Sequence, residues 1–170
     1  MPLKKYIRDI QDFPKKGISF KDITPLLLDA KATHNCLEIL VSTLIDKKID
    51  KVIGVESRGF FFGMLLAQQL NAGFVPVRKP HKLPYKTLSV SYDLEYGIDT
   101  LEIHIDAIKK GDRVVVHDDT LATGGTANAV CELVERLGGI IVQYNFLMEL
   151  TYLNGREKIK NTEIFSAVKY

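Results

Sequence analysis

The stretch from Val114 to Thr126, Val-Val-Val-His-Asp-Asp-Thr-Leu-Ala-Thr-Gly-Gly-Thr, constrains the fold more than any other part of the chain. Its opening run of β-branched residues predicts a buried strand. Two adjacent carboxylates, Asp118 and Asp119, follow where that strand is expected to end. A short loop of threonines and glycines comes next. From Ala127 the apolar residues Val130, Leu133, Val134 and Leu137 recur at the spacing of one helix face. Gly138-Gly139 then supplies a left-handed stop. The stretch therefore reads as strand, acidic tip, glycine loop and helix N-terminus.

A helix N-terminus presents unpaired N–H groups and the positive end of a dipole, so it receives phosphate readily. Gly124 and Gly125 let the backbone approach an anion closely, and Thr123 and Thr126 add hydroxyl donors. The loop is not a Walker loop, because GxxxxGK[ST] is missing, nor the dinucleotide fingerprint GxGxxG. Its shortness, without a lysine, suits a single phosphate monoester. Carboxylates pointing into such a loop would repel the phosphate. Asp118 and Asp119 are better placed to accept bonds from sugar hydroxyls or to face a Mg2+ shell. The bland alternative is an ordinary strand-to-helix turn with acidic caps.

Composition sets the bounds. A chain of 170 residues with 46% hydrophobic and 26% charged residues is expected to fold as one domain, residues 1–170, with a sizeable core. A net charge of +2 gives no argument for nucleic acid or an acidic membrane. The longest apolar run, Phe60 to Ala67, is too short to span a bilayer. The first residues, Met1 to Arg8, lack the apolar centre of a signal peptide. Cys36 and Cys131 lie singly within helical patterns and read as packed thiols, and the histidines show no metal-ligand spacing. A cytoplasmic protein is the expectation.

Along the chain, residues 3–10 are expected to form a short helix. Phe13 to Pro25 reads as a loop that nonetheless carries Phe13, Ile18 and Phe20. Helical spacing returns from Leu37 to Ile45, and Lys51 to Val55 reads as a buried strand. That strand ends at Glu56-Ser57-Arg58-Gly59, with an apolar helix over Phe60 to Leu70. Here is a second strand-turn-helix, whose turn carries a cation able to hold another anion. After the strand Phe74 to Val77 comes a basic, proline-broken segment, Arg78 to Thr87, of the kind that serves as a lid. Leu101 to His104 and Ile140 to Leu150 read as strands. Leu153 to Lys158 reads as a polar turn or short helix, and Ile164-Phe165 as a final edge strand. Strands alternating with helices predict an α/β fold, a mostly parallel twisted sheet with helices on both faces. Ligands then bind beyond the carboxyl ends of the strands, where both anion turns lie.

The Asp-Asp and Ala-Thr-Gly-Gly-Thr segment resembles the 5-phosphoribosyl-1-pyrophosphate motif of type I phosphoribosyltransferases, and in particular that of their adenine-specific members. His117 and Thr120 stand where those enzymes usually carry aliphatic residues. The resemblance covers about residues 10–157. It implies that Asp118, Asp119, Ala122, Thr123, Gly124, Gly125 and Thr126 bind the phosphoribosyl group. Glu-Ser-Arg-Gly-Phe resembles the family's pyrophosphate loop, so Ser57, Arg58, Arg78 and Lys82 are implied to bind pyrophosphate. Residues 1–30 resemble a hood over the base, with Ile18, Phe20 and Arg58 contacting the purine. Residues 79–96 resemble a flexible lid, with Glu95 as the acid/base group and Arg58 assisting catalysis. The implied reaction converts adenine and 5-phosphoribosyl-1-pyrophosphate into AMP and pyrophosphate through an oxocarbenium-like transition state. Its implied cofactor is Mg2+ held mainly by the substrate pyrophosphate and water, and its implied assembly is a homodimer.

Three other readings compete. Transfer to hypoxanthine, guanine or xanthine fits less well with the Phe20 hood and the Glu95-Tyr96-Gly97 end of the lid. A ligand-sensing repressor of this fold would need a DNA-binding domain, for which about ten residues before Phe13 leave no room. A phospho-acceptor domain would not need the glycine-threonine loop.

Overall fold

The computed structural model describes residues 2–93, 97–159 and 162–170, and divides into two compact units, Met1–Ile39 and Leu40–Tyr170. The first unit contains residues 1–30, the segment for which a hood is expected. A single 3-10 turn, Leu3–Tyr6, precedes strand β1, Arg8–Gln11, which pairs antiparallel with β2, Ser19–Asp22. The helix expected over residues 3–10 is thus one turn, and the segment expected to be all loop contributes a strand. Cross-strand pairing explains both, since Arg8 and Asp9 form ion pairs with Asp22 and Lys21. Asp22 then caps the short helix α1, Thr24–Leu28, accepting from the Thr24 N–H at 2.9 Å and its hydroxyl at 2.6 Å. Asp29 likewise caps α2, Ala30–Ser42, which buries Cys36. Burial pushes that thiol up to about 12, so it is an unreactive packing group.

The second unit is built on a five-stranded, wholly parallel sheet. Its strands are β3 (Lys51–Val55), β4 (Gly73–Val77), β7 (Arg113–Leu121), β8 (Ile140–Glu149) and β9 (Glu163–Lys169), in the order β4-β3-β7-β8-β9. Alternation along the strands assigns the two faces. Ile53, Val55, Val114, Val116, Tyr144 and Phe146 point to one side and bury Val130, Leu133 and Val134 of helix α4, Gly125–Leu137. Gly54 and His117 point to the other, where α3, Gly59–Gln69, packs closely: a Cβ on Gly63 would meet the Gly54 Cα at 3.3 Å. The parallel sheet with helices on both faces agrees with expectation.

Two elements depart from it. Residues Thr87–Asp93, within the expected lid, form strand β5 of an antiparallel ribbon with β6, Ile98–His104. Leu88, Val90 and Tyr92 alternate inward against the core, and that apolar face outweighs the polar character of the flanking segment. Strand β7 also runs past the two carboxylates to Leu121. Its pairing with β3 stops at His117, whereas β8 continues to pair with Asp118, Thr120 and Leu121. Asp118 and Asp119 therefore sit just beyond the end of β3, on a strand still held from one side.

Candidate active site

The sheet order reverses between β3 and β7, since the chain leaves β3 toward β4 and later returns to the opposite side of β3 as β7. Such a switch point opens a crevice at the carboxyl ends of the two strands. Each strand delivers to it one of the two turns expected to receive an anion.

The β7–α4 turn is closed by Gly124, whose φ of 81° lies in the left-handed region that favours glycine. A side chain is excluded there by space as well, because a Cβ would stand 2.4 Å from the Gly155 carbonyl oxygen. Gly155 meets the loop equally closely, with a Cβ reaching the Ala122 carbonyl oxygen at 2.2 Å. Its turn is held by Arg156, whose guanidinium donates in a fork to Glu149 at 2.6 and 2.7 Å. The polar turn after β8 is thus the support of the glycine loop, a role that no local pattern around Gly155 announces. Asp118, Thr120, Ala122, Thr123, Gly124 and Thr126 line one small cavity of about 60 Å3, floored by Val55, Val116 and Phe146. Gly125 is the first residue of α4, so the amides of the helix start open beside this cavity.

The two carboxylates differ. Asp119 is engaged by Arg58 Nε at 2.9 Å and by the Thr120 hydroxyl at 3.2 Å. Asp118 lines the cavity, accepts from the Asp119 amide at 2.8 Å, and lies so near the start of α3 that a Cβ on Gly59 would meet it at 2.9 Å. Burial and the neighbouring Asp119 charge push Asp118 well above the usual carboxylate range. Burial also raises Asp119, but Arg58 opposes it.

In the β3–α3 turn Ser57 is exposed, and Arg58 reaches across to β7 as described. Glu56, which the sequence offers as part of the turn motif without a role of its own, gathers the basic segment. It accepts from Arg78 at 3.3 Å through two nitrogens, from Lys82 at 3.0 Å and from the Lys79 amide at 2.8 Å. Burial alone would raise its pKa, but these donors outweigh it and hold the carboxyl at about 2. Arg78 also lies over the Phe60 ring at 5.8 Å.

The crevice therefore brings together Asp118, Asp119, the 122–126 loop, Ser57 and Arg58, with Arg78 and Lys82 gathered at Glu56. Ile18 and Phe20 belong to the first unit, where Phe20 packs edge-on against Phe13 at 5.2 Å and Ile18 is exposed. Glu95 lies outside the described residues. Among the described residues no three of His, Cys, Asp and Glu gather as a metal site.

The family profile described as "Phosphoribosyl transferase domain" matches residues 23–161. A relative from Flavobacterium johnsoniae named adenine phosphoribosyltransferase is 70% identical over the full length of both chains. The crystal structure of adenine phosphoribosyltransferase from Thermoanaerobacter pseudethanolicus is 56% identical, with a TM-score of 0.96 over 99% of this chain and 98% of that one. That of the Saccharomyces cerevisiae enzyme, complexed with adenine and an imino-altritol bisphosphate, is 42% identical with a TM-score of 0.91, covering 96% of this chain and 95% of the other. Crevice, loop and relatives agree: the chain belongs to the phosphoribosyltransferase family.

Proposed function

We propose that this chain is a purine-salvage enzyme that transfers the 5-phosphoribosyl group of 5-phosphoribosyl-1-pyrophosphate to adenine, giving AMP and pyrophosphate. The observation that carries this reading is one cavity shared by a helix N-terminus, a glycine-threonine loop and a strand-end carboxylate, at the switch point of a parallel sheet. Relatives bearing the adenine-specific name over the whole length support the choice of base.

The chemistry accounts for the parts. The C1–O bond to pyrophosphate breaks as the N9–C1 bond forms, and positive charge builds on the ribose. The Ala122–Thr126 loop anchors the 5-phosphate and so fixes C1 relative to the base. Asp118 accepts from ribose hydroxyls and, with Asp119, complements the developing charge. Arg58, with Ser57, Arg78 and Lys82, receives the departing pyrophosphate. Ile18 and Phe20 offer the apolar surface that a flat purine needs. Glu95 exchanges a proton with a purine ring nitrogen as N9 attacks. Mg2+ would be held by the substrate's phosphate oxygens and water, which suit this ion, since Asp119 is already engaged by Arg58. Bound there, it would supply charge neutralisation at the leaving group.

Two further attributes follow. A homodimer is supported by an exposed apolar stripe on α3, formed by Phe61, Met64 and Leu65. A cytoplasmic location is supported by two cysteines that form no disulfide and by the lack, among the described residues, of any helix long and apolar enough to cross a membrane.

Incubation with the sugar pyrophosphate, Mg2+ and each purine in turn tests the assignment. AMP should form with adenine at least about a hundredfold faster than the 6-oxopurine products, roughly 2.7 kcal/mol of discrimination. Nucleotide formed mainly from hypoxanthine or guanine, or none from any purine, would refute it.

A further inference from the structure

A chain of polar side chains leads out of the glycine loop into the β5–β6 ribbon. Tyr92 of β5 donates its hydroxyl proton to Asp99 Oδ2 at 3.1 Å, and its oxygen lies 3.3 Å from Thr126 Oγ1. Asp99 also accepts from the Thr100 amide at 2.8 Å and pairs with Lys79. Burial would raise the Asp99 pKa, but Lys79 and the Thr100 amide prevail and keep the carboxyl below its usual range. At neutral pH Asp99 therefore has no proton to give.

That fixes the direction of every bond. Tyr92 has a single proton, and Asp99 holds it. The contact with Thr126 is then made by the threonine's proton, so the sequence of donors runs from Thr126 to Tyr92 to Asp99. In this arrangement Thr126 directs its only proton away from the loop it belongs to. A phosphate dianion is purely an acceptor and needs that proton. When Thr126 turns its proton toward a phosphate, the Tyr92 oxygen loses its donor and the threonine oxygen is left to accept, and the Tyr92 hydroxyl is the group within reach to donate to it. Its hydroxyl rotates from Asp99 to the threonine oxygen, while Asp99 keeps Lys79 and Thr100.

We propose that Tyr92 is a positioning residue for the 5-phosphate: its hydroxyl reverses between Asp99 and Thr126, and in the reversed setting it holds Thr126 as a donor to the phosphate. This inference rests on the reading of residues 122–126 as a phosphate loop. Both partners of the switch come from elements whose backbones are fixed by pairing or by helix, so the reversal is a rotation of protons with no strand displaced.

Titration calorimetry of the full chain with AMP and with inorganic pyrophosphate tests it. Tyr92→Phe should lower AMP affinity about five- to tenfold, the worth of one neutral hydrogen bond, and leave pyrophosphate affinity within about twofold. Asp99→Asn should act the other way. It removes the charge that draws the tyrosine proton, so AMP affinity should equal or exceed that of the wild type. A merely structural role for the ribbon predicts that both variants lose AMP affinity, and that result would overturn the proposal. So would AMP binding within twofold of wild type in Tyr92→Phe, or equal losses for AMP and pyrophosphate. Failure of the wild type to bind AMP while binding pyrophosphate would instead refute the phosphate loop, and the inference with it.

Discussion

His117 is fully buried, with Nδ1 3.1 Å from Asn145 Oδ1 and Nε2 without a hydrogen-bond partner. Asn145 donates its amide to Leu40 and Gln143, so its oxygen is an acceptor and the histidine proton sits on Nδ1. Protonating Nε2 would bury a charge beside the Phe62 ring. Burial accordingly lowers the pKa from 6.5 to about 4. In the unfolded chain the imidazole takes up its proton near 6.5 and in the folded chain only near 4, so the unfolded state binds more protons in between. Stability is thus fully present above the unfolded value and declines as pH falls toward the folded one. The expected loss from this residue is about 3 kcal/mol. Urea unfolding across that range should show a slope in the wild type that His117→Val flattens. Parallel pH profiles for the two proteins would discount the effect. The sequence marked this position as a departure from the family, but its consequence depends on Asn145, a partner 28 residues away that no local pattern links to it.

At the scale of elements, the glycine loop is a joint between two turns. Gly155→Ala should drive a methyl group into the Ala122 carbonyl, a contact of 2.2 Å between fixed backbones. The loop must shift, at a cost of about 1–3 kcal/mol in stability. AMP affinity should fall about tenfold or more, roughly 1.4 kcal/mol. Calorimetry with AMP alongside a thermal melt checks both, and unchanged AMP binding would mean that the loop tolerates displacement. The loop itself was readable, because glycine and threonine at a strand-to-helix junction carry their own local geometry. Its support was not, because Gly155 acts on backbone more than thirty residues away. The same holds for Glu56, which reads as one loop residue until the fold sets Arg78 and Lys82 around it. Strand β5 is obscured for another reason: the lysines and prolines before it dominate the local pattern over the alternation of Leu88, Val90 and Tyr92.

For the molecule as a whole, the parallel sheet was legible because its central strands open on apolar runs, Val52 to Val55, Val114 to Val116 and Ile140 to Val142, each preceded by a turn. Pairing of a second copy through α3 is tested by light scattering coupled to gel filtration. The wild type should run at twice the chain's mass, and Phe61→Glu combined with Met64→Glu should halve it, since two charges would then face an apolar contact. A wild-type monomer would dismiss the dimer. The charges along the carboxyl edge of the sheet carry one more consequence. Arg58 is matched by Asp119, and Arg78 with Lys82 by Glu56, so this edge behaves as an ion exchanger whose counterions are tethered to the polymer. In the proposed reaction, a polyphosphate taking over these cations would displace carboxylates that cannot diffuse away, and would liberate few dissolved anions. Dissolved salt would then have little purchase on that exchange, and the carboxylates would stand ready to reclaim their cations when the product departs.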